Sequence, residues 1–454
     1  MARKKNDFDL IVIGSGAAGS AGALMAAGAG QKVAIIEADK WGGAGINYSG
    51  IPMDALLHAS HLFTTAVEGA KFGLSSSNLR YNYPTINNWK NVATRRAGGN
   101  SKKDLEDAGI TAVKGRAHFI GPYQVSVGQN QYTARKFLIA TGSHPLDTGI
   151  KGLDDVNFMT PDSVLEIIRP PRTIFVVGAG STGCEIAQYF AQLGSKVLIA
   201  EVAGRLLPQE DEEIGQVMDD VFNKLGIKVL TQSRVVALEK DTVSKKVIFM
   251  RGGQEKSVRI DEVILCTGST PATDLGLENA GIKYSAKGIK VSKTLQTSMK
   301  HILAAGDCIG GASSTEKAVL EAATAISNII HRAKLTTNYA GLTRLTRTYP
   351  EVASVGATED DCIRHDRKIR KVLVPLSIAE ASNTTDFRTG FVKLISDRSK
   401  RIIGATIVAP HAGILIQELA MAIRLDLFIS DIADTPHVAS DWSEIVRLAA
   451  RRLP

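Results

Sequence analysis

Short runs of consecutive apolar residues recur along the first two thirds of the chain, and each breaks into a turn of small residues. Residues 9–13 run into Gly14-Ser15-Gly16-Ala17-Ala18-Gly19, followed by an alanine-rich stretch at 20–28. Runs this short and continuous predict strands buried on both faces, with a helix after the glycines. Residues 32–36 predict the next strand, ending in Glu37. The pattern then repeats: a strand at 174–177, Gly178-Ala179-Gly180-Ser181-Thr182-Gly183, a helix at 184–193, and a strand at 196–200 ending in Glu201. Further strands are expected before Ala140-Thr141-Gly142-Ser143, before Cys266-Thr267-Gly268-Ser269 and before Ala305-Gly306-Asp307-Cys308, with pieces at 110–115 and 124–127 and a helix at 316–332. Residues 72–103 read as polar and irregular, with helix content unsettled around 87–97 and no role assigned. After residues 335–339 the pattern changes to alternating strands at 391–395 and 402–408 and a helix at 413–425, which predicts a separate α+β domain.

Composition narrows the classes. A chain of 454 residues exceeds what one hydrophobic core supports. The net charge of +8 comes from scattered basic residues and clusters such as Arg95-Arg96, Lys102-Lys103 and residues 364–371. No aromatic interleaving or recognition motif accompanies them, so they read as a solvated basic face and no nucleic-acid partner is expected. No run of 18 apolar residues occurs, and residues 1–7 are too polar for a signal peptide, so no membrane insertion and a cytoplasmic location are expected. The four cysteines, Cys184, Cys266, Cys308 and Cys362, show neither CxxC nor metal-type spacing and read as small buried hydrophobes; no metal site is expected.

The two glycine turns carry chemistry because of their context. In a strand–GxGxxG–helix unit the first two glycines let the turn close and the backbone approach a pyrophosphate. The third permits tight packing of helix on strand. Gly14, Gly16 and Gly19 take these places in the first unit, and Gly178, Gly180 and Gly183 in the second. Phosphates are received by N–H groups at the helix terminus, and Glu37 and Glu201 stand where a carboxylate binds ribose hydroxyls. Glu201 would repel a 2′-phosphate, which favours NAD over NADP; Arg205, four residues on, pulls the other way. One chain with both units is built to hold two dinucleotides.

These motifs, with the segment Gly42 to His58, Tyr349-Pro350-Glu351, Gly390-Phe391-Val392-Lys393 and Ala409-Pro410-His411-Ala412-Gly413, appear in one characteristic order. The chain resembles the pyridine nucleotide-disulfide oxidoreductase family, in the branch of dihydrolipoamide dehydrogenase, glutathione reductase and mercuric reductase. The resemblance implies an α/β fold with two Rossmann-like dinucleotide-binding domains and a C-terminal α+β dimerisation domain. The boundaries expected are 1–150 and 272–337 for FAD, 151–271 for NAD and 338–454 for dimerisation. It implies FAD on the first unit, with Asp307 at the ribityl region, Ala117 near the adenine, and Gly43, Thr141 and Gly142 among the binding residues. It implies NAD on the second, with Glu185 close to the nicotinamide, Val235 near the adenine and Gly268 beside them. The partner is a second copy, each active site being completed across a homodimer.

Departures from the family pattern decide the function expected. Gly45 and Gly50 occupy the two positions of the redox cysteines. Asp54 stands where the family has a lysine paired with the counterpart of Glu185. The family's His-Pro-x-x-Ser-Glu becomes Ala439-Ser440-Asp441-Trp442-Ser443-Glu444, so its catalytic histidine is Ala439. His437, two residues upstream, reads as a surface or packing residue, and Asn47, Tyr48 and Met53 read first as filling space around the loop, with lining a face for a flat acceptor as the alternative. Thiol–disulfide exchange needs a thiolate and a positioned acid/base, and both are gone together. The expectation is an FAD-dependent NAD(P)H oxidoreductase of diaphorase type that delivers electrons to a small-molecule acceptor other than a disulfide, with Glu185, Asp54 and Glu444 as catalytic candidates. The alternative is a catalytically degenerate flavin-binding dimer with a binding or nicotinamide-sensing role. Mercuric reduction is disfavoured, since no N-terminal metal-binding domain is present and the tail Arg451-Arg452-Leu453-Pro454 lacks a cysteine pair.

Overall fold

The computed structural model describes residues 6–75, 78–331 and 333–453. Most of the polar leader, Arg332 at the end of the expected 316–332 helix and Pro454 of the tail lie outside them. The chain divides into two compact units, each drawn from three segments: residues 1–55, 87–148 and 268–339 in the first, and 56–86, 149–267 and 340–454 in the second.

The first unit is built on a parallel sheet whose strands are the continuous apolar runs. Phe8–Ile13 lies between Val33–Glu37 and Asn130–Ile139, and Ile302–Ala304 pairs with the far side of Asn130–Ile139, all in parallel. Thr111–Lys114 extends the other edge beside Val33–Glu37. Because both faces are covered there, residues 10–13, 33–36, 137–139 and 302–304 are all apolar: Leu10, Val12 and Leu138 pack into one core, and Ile11, Ile13 and Ile139 into the other. The helices Ala17–Gly28 and Thr315–His331 bury small side chains (Ala18, Ala23, Ala322, Ala325), which lets backbone approach sheet. The stretch expected to be irregular is largely helical, with helices Tyr83–Gly98 and Ser101–Asp107. Its residues are mostly polar and exposed, so periodicity gave little warning; at Gly98 the missing side chain makes room for Ile46.

Among the described residues the second unit holds three sheets. The repeat forms a parallel sheet in the order Lys228–Leu230, Lys196–Ala200, Thr173–Val177, Glu262–Leu265. An antiparallel sheet of Ser233–Lys240, Lys245–Arg251 and Gln254–Ile260 shares a core with it, through Phe175, Leu230, Val247 and Phe249. The C-terminal segment forms a five-stranded antiparallel sheet with Glu351–Gly356, Ile402–Ala409 and Phe391–Asp397 at its centre, over which the helices Ala412–Arg424 and Glu444–Arg452 bury Leu415, Leu419, Ile445 and Ala449. Among the described residues no helix is long and apolar enough to cross a membrane.

Candidate dinucleotide sites and the glycine pair

Parallel strands that end together present their following turns side by side, and this assembles the candidate residues of the first unit. Ile13 is level with Ile139, and Ala304 with Ile139. Gly14, Thr141 and Asp307 therefore follow from neighbouring strand ends. Gly14 has φ +98° and any Cβ there would meet the Ala140 carbonyl oxygen at 2.3 Å, while one at Gly19 would meet the Gly14 oxygen at 1.8 Å. Gly16 caps the helix Ala17–Gly28, which has no side-chain cap, so its first N–H groups face the turn. Glu37 accepts from the backbone N–H groups of Ser15 and Asp39, each at 2.7 Å, and from the Ser15 hydroxyl at 2.6 Å. That hydroxyl also accepts from the N–H of Gly42 at 3.1 Å. Gly43, at φ +68°, lies so close to the turn that a Cβ would sit 2.4 Å from Gly16 Cα.

Around this turn, Thr141 donates to the Ala272 carbonyl at 2.7 Å and Ser143 to the Asp307 carboxylate at 3.1 Å. Gly142 has φ +74° and Gly268 φ +101°. Leu146 donates its N–H to the Gly268 oxygen at 3.1 Å, so Gly268 belongs to the first unit although it closes a strand of the second. Ala117 is buried at the start of the strand Ala117–Gly121. Beneath Asp307, the fully buried Glu321 accepts from the Gly306 N–H at 2.7 Å and the Tyr339 hydroxyl at 2.8 Å. Burial pushes the Tyr339 hydroxyl up to about 12, with the neighbouring carboxylate adding to the rise. Sequence reading passed over Glu321 and Ser15. A glutamate at helical spacing from Ala318, Ala322 and Ala325 was the available signal for the first.

The second unit repeats the geometry. Gly178 has φ +97°, and a Cβ would meet the Cys266 oxygen at 2.5 Å; at Gly183 it would meet the Gly178 oxygen at 2.0 Å. A Cβ at Gly180 would meet no residue beyond its chain neighbours within 4 Å, and the helix Ser181–Gln192 again has no side-chain cap. Glu201 accepts from the N–H groups of Ala179 at 2.8 Å and Ala203 at 2.9 Å. Arg205 is turned away to the Glu210 carbonyl at 3.0 Å and the Asp360 carboxylate at 2.7 Å. Val235 is buried in the antiparallel sheet, opposite Phe249. Glu185, 8% exposed, accepts the Arg347 N–H at 2.7 Å. One face of its helix is pinned to the same segment, Ser181 at Thr346 (2.5 Å) and Gln188 exchanging two bonds with Tyr349.

The Gly42–His58 stretch forms a short helix, Gly43–Asn47, followed by Gly50–Glu68. A Cβ at Gly45 would have ordinary contact with Thr315 Oγ1 at 3.5 Å. One at Gly50 would stand 2.7 Å from the Gly45 carbonyl oxygen, closer than a side chain tolerates. Asn47 ties down the carbonyls of Trp41 and Gly43, Tyr48 donates to Asp39 at 2.6 Å, and Met53 is buried, so all three pack the loop. Asp54 is half-buried in the first unit.

All four cysteines are free thiols. Burial pushes the Cys308 thiol up to about 11 and Cys266 to about 12, and raises Cys184 and Cys362 as well. Glu444 lies in the first turn of its helix and holds Arg447 at 2.8 Å. His437 is bonded to Glu418 at 3.0 Å and to the Thr435 carbonyl at 2.9 Å. Among the described residues no group of His, Cys, Asp and Glu could hold a metal ion.

A family model described as pyridine nucleotide-disulphide oxidoreductase matches residues 8–322, and its dimerisation-domain model matches residues 343–450. A mercuric reductase of Bacillus cereus is 30% identical over 98% of this chain and 71% of its own. A dihydrolipoyl dehydrogenase of Staphylococcus aureus is 31% identical over 98% of this chain and 96% of its own. Among solved structures, the HOCl-induced flavoprotein disulfide reductase RclA of Escherichia coli superposes with a TM-score of 0.88 and LpdA of Mycobacterium tuberculosis with 0.89. Each is 24% identical and covers 98% of this chain and 99% of its own, a likeness of fold.

Proposed function

The chain belongs to the pyridine nucleotide-disulphide oxidoreductase family, whose cofactors are FAD and a nicotinamide dinucleotide, and from that premise we propose that it is an NADH oxidoreductase serving an acceptor other than a disulfide. The observation that carries the reading is the glycine pair. Gly45 and Gly50 stand at the positions of the redox cysteines, and the backbone packs where a side chain at 50 would be. The remaining thiols offer no substitute, because burial keeps them protonated at neutral pH and a protonated thiol does not attack a disulfide.

The residues present suit both cofactors: two uncapped helix termini beside glycine turns, each with a carboxylate at the ribose position. Bound, FAD and NADH supply hydride transfer from nicotinamide to flavin and delivery of electrons to a quinone, oxygen or a second nicotinamide. The Gly14–Gly19 turn would hold the FAD pyrophosphate, with Glu37 at the ribose, Asp307 at the ribityl chain and Ala117 near the adenine. The Gly178–Gly183 turn would hold that of NADH, with Glu201 at the ribose and Val235 near the adenine. Glu185, fixed by the Arg347 N–H, serves at the nicotinamide. Arg205 is engaged by Asp360, which leaves Glu201 unopposed in selecting against a 2′-phosphate. With Ala439 in the histidine's place and Arg447 on its carboxylate, Glu444 anchors its helix rather than moving a proton. The dimerisation segment supports a homodimer; the exposed Ile414, Met421 and Leu425 on the helix Ala412–Arg424 and its end offer an apolar contact surface.

Anaerobic titration with NADH tests the proposal. One equivalent should bleach the flavin without the long-wavelength band of a thiolate beside it, and a quinone should restore the colour. Turnover of lipoamide or glutathione disulfide overturns the reading. Flavin that stays oxidised under excess NADH favours the degenerate, nicotinamide-sensing dimer instead.

A further inference from the structure

The antiparallel sheet of the second unit breaks its own alternation at one end. Side chains two apart on a strand share a face, so Val247 and Phe249 place Arg251 on the face that looks into the core. On the adjacent strand the register sets Lys256 opposite Phe249 and Val258 opposite Val247, so Lys256 shares that face too. The parallel sheet across the core does likewise, with Lys228 and Leu230 on one face and Lys228 level with Leu198. A cavity of about 240 Å³ opens there. Leu198, Leu230, Phe249 and Val258 form its apolar floor, and Lys228, Arg251, Lys256 and Ser257 its rim.

Some of the cations on these strands are paired and some are not. Lys245, Lys246 and Arg259 each hold a carboxylate, Glu262, Glu239 and Asp241 respectively. Among the described residues Lys228, Arg251 and Lys256 enter no ion pair, as Arg234 and Lys240 do not elsewhere on the sheet, and these three line the cavity, Lys228 and Lys256 exposed and Arg251 half-buried. Three cations that converge on one apolar cavity are complementary to an anion that carries a compact apolar body.

We infer that this cavity is a binding site for a small amphipathic anion, a carboxylate or phosphate on an apolar body, separate from the Gly178–Gly183 turn. Isothermal titration calorimetry on the flavin-loaded protein tests it, with octanoate as the probe, octanol as the body without the charge and inorganic phosphate as the charge without the body. Octanoate should bind saturably and at least about tenfold more tightly than either control. The triple variant K228Q/R251Q/K256Q should lose at least about tenfold in octanoate affinity while keeping its NADH affinity, which verifies its fold. Val258→Phe, which fills the cavity and leaves every cation in place, should block octanoate. Absence of saturable binding, equal binding by the triple variant or by Val258→Phe, or phosphate binding as tight as octanoate each overturns the inference.

Discussion

The two glycine turns are nearly superimposable in their chemistry and differ in how they are closed. In both, the first glycine takes φ near +98° because a carbonyl from the neighbouring strand end lies against it, and in both a glutamate spans two backbone N–H groups. The first turn is then sealed. Gly43 packs on Gly16, the Ser15 hydroxyl links Glu37 to Gly42, and Glu321 braces Gly306 from below. The second turn has Ala179 in place of Ser15 and open space around Gly180. One repeat thus gives two packings, a buttressed turn at the proposed FAD site and an open one at the proposed NADH site.

The sharpest way to break this contrast is to add one methyl group to each turn. Gly43→Ala forces a Cβ against Gly16 in a left-handed conformation, and should cost about 3 kcal/mol or more and yield protein purified without flavin, read from its visible absorbance. Gly180→Ala has extended backbone and free space, so stability should change by less than about 0.5 kcal/mol, with loss confined to NADH affinity. Full flavin content in Gly43→Ala would remove the basis for a sealed site. Glu321→Ala should have the next largest effect, about 2 kcal/mol in denaturant unfolding, because the Gly306 N–H and the Tyr339 hydroxyl lose their buried acceptor. Its flavin should dissociate faster, and the NADH affinity should be unchanged. The smallest effect belongs to the one hydroxyl that distinguishes the turns. Ser15→Ala should cost about 1 kcal/mol, seen as a lower melting temperature, whereas Ala179→Ser should leave stability unaltered. Equal responses at Ser15 and Ala179 would mean that the closure of the first turn lies elsewhere.

The strands, both glycine turns and their carboxylates were legible because each depends on local pattern: continuous apolar runs, glycines at fixed spacing, an acid at the next strand end. The helix Tyr83–Gly98 was legible only as unsettled helix content at 87–97, because its surface is mostly polar. Arg205 illustrates the same limit for a site residue. Four positions beyond Glu201 it read as a phosphate ligand in waiting, and Asp360, distant in sequence, takes it up.

The amino-acid order alone therefore determined that this is a doubled dinucleotide-binding chain with glycines at 45 and 50, since those facts are written in residue identity and spacing. Folding decided what the spacing leaves open: that Gly45's carbonyl fills the room a side chain at 50 would need, that burial raises all four thiols above their ordinary range, and that one glycine turn is sealed while its copy stays open. These depend on contacts between residues far apart in the chain, where distance and desolvation act and sequence separation carries no information.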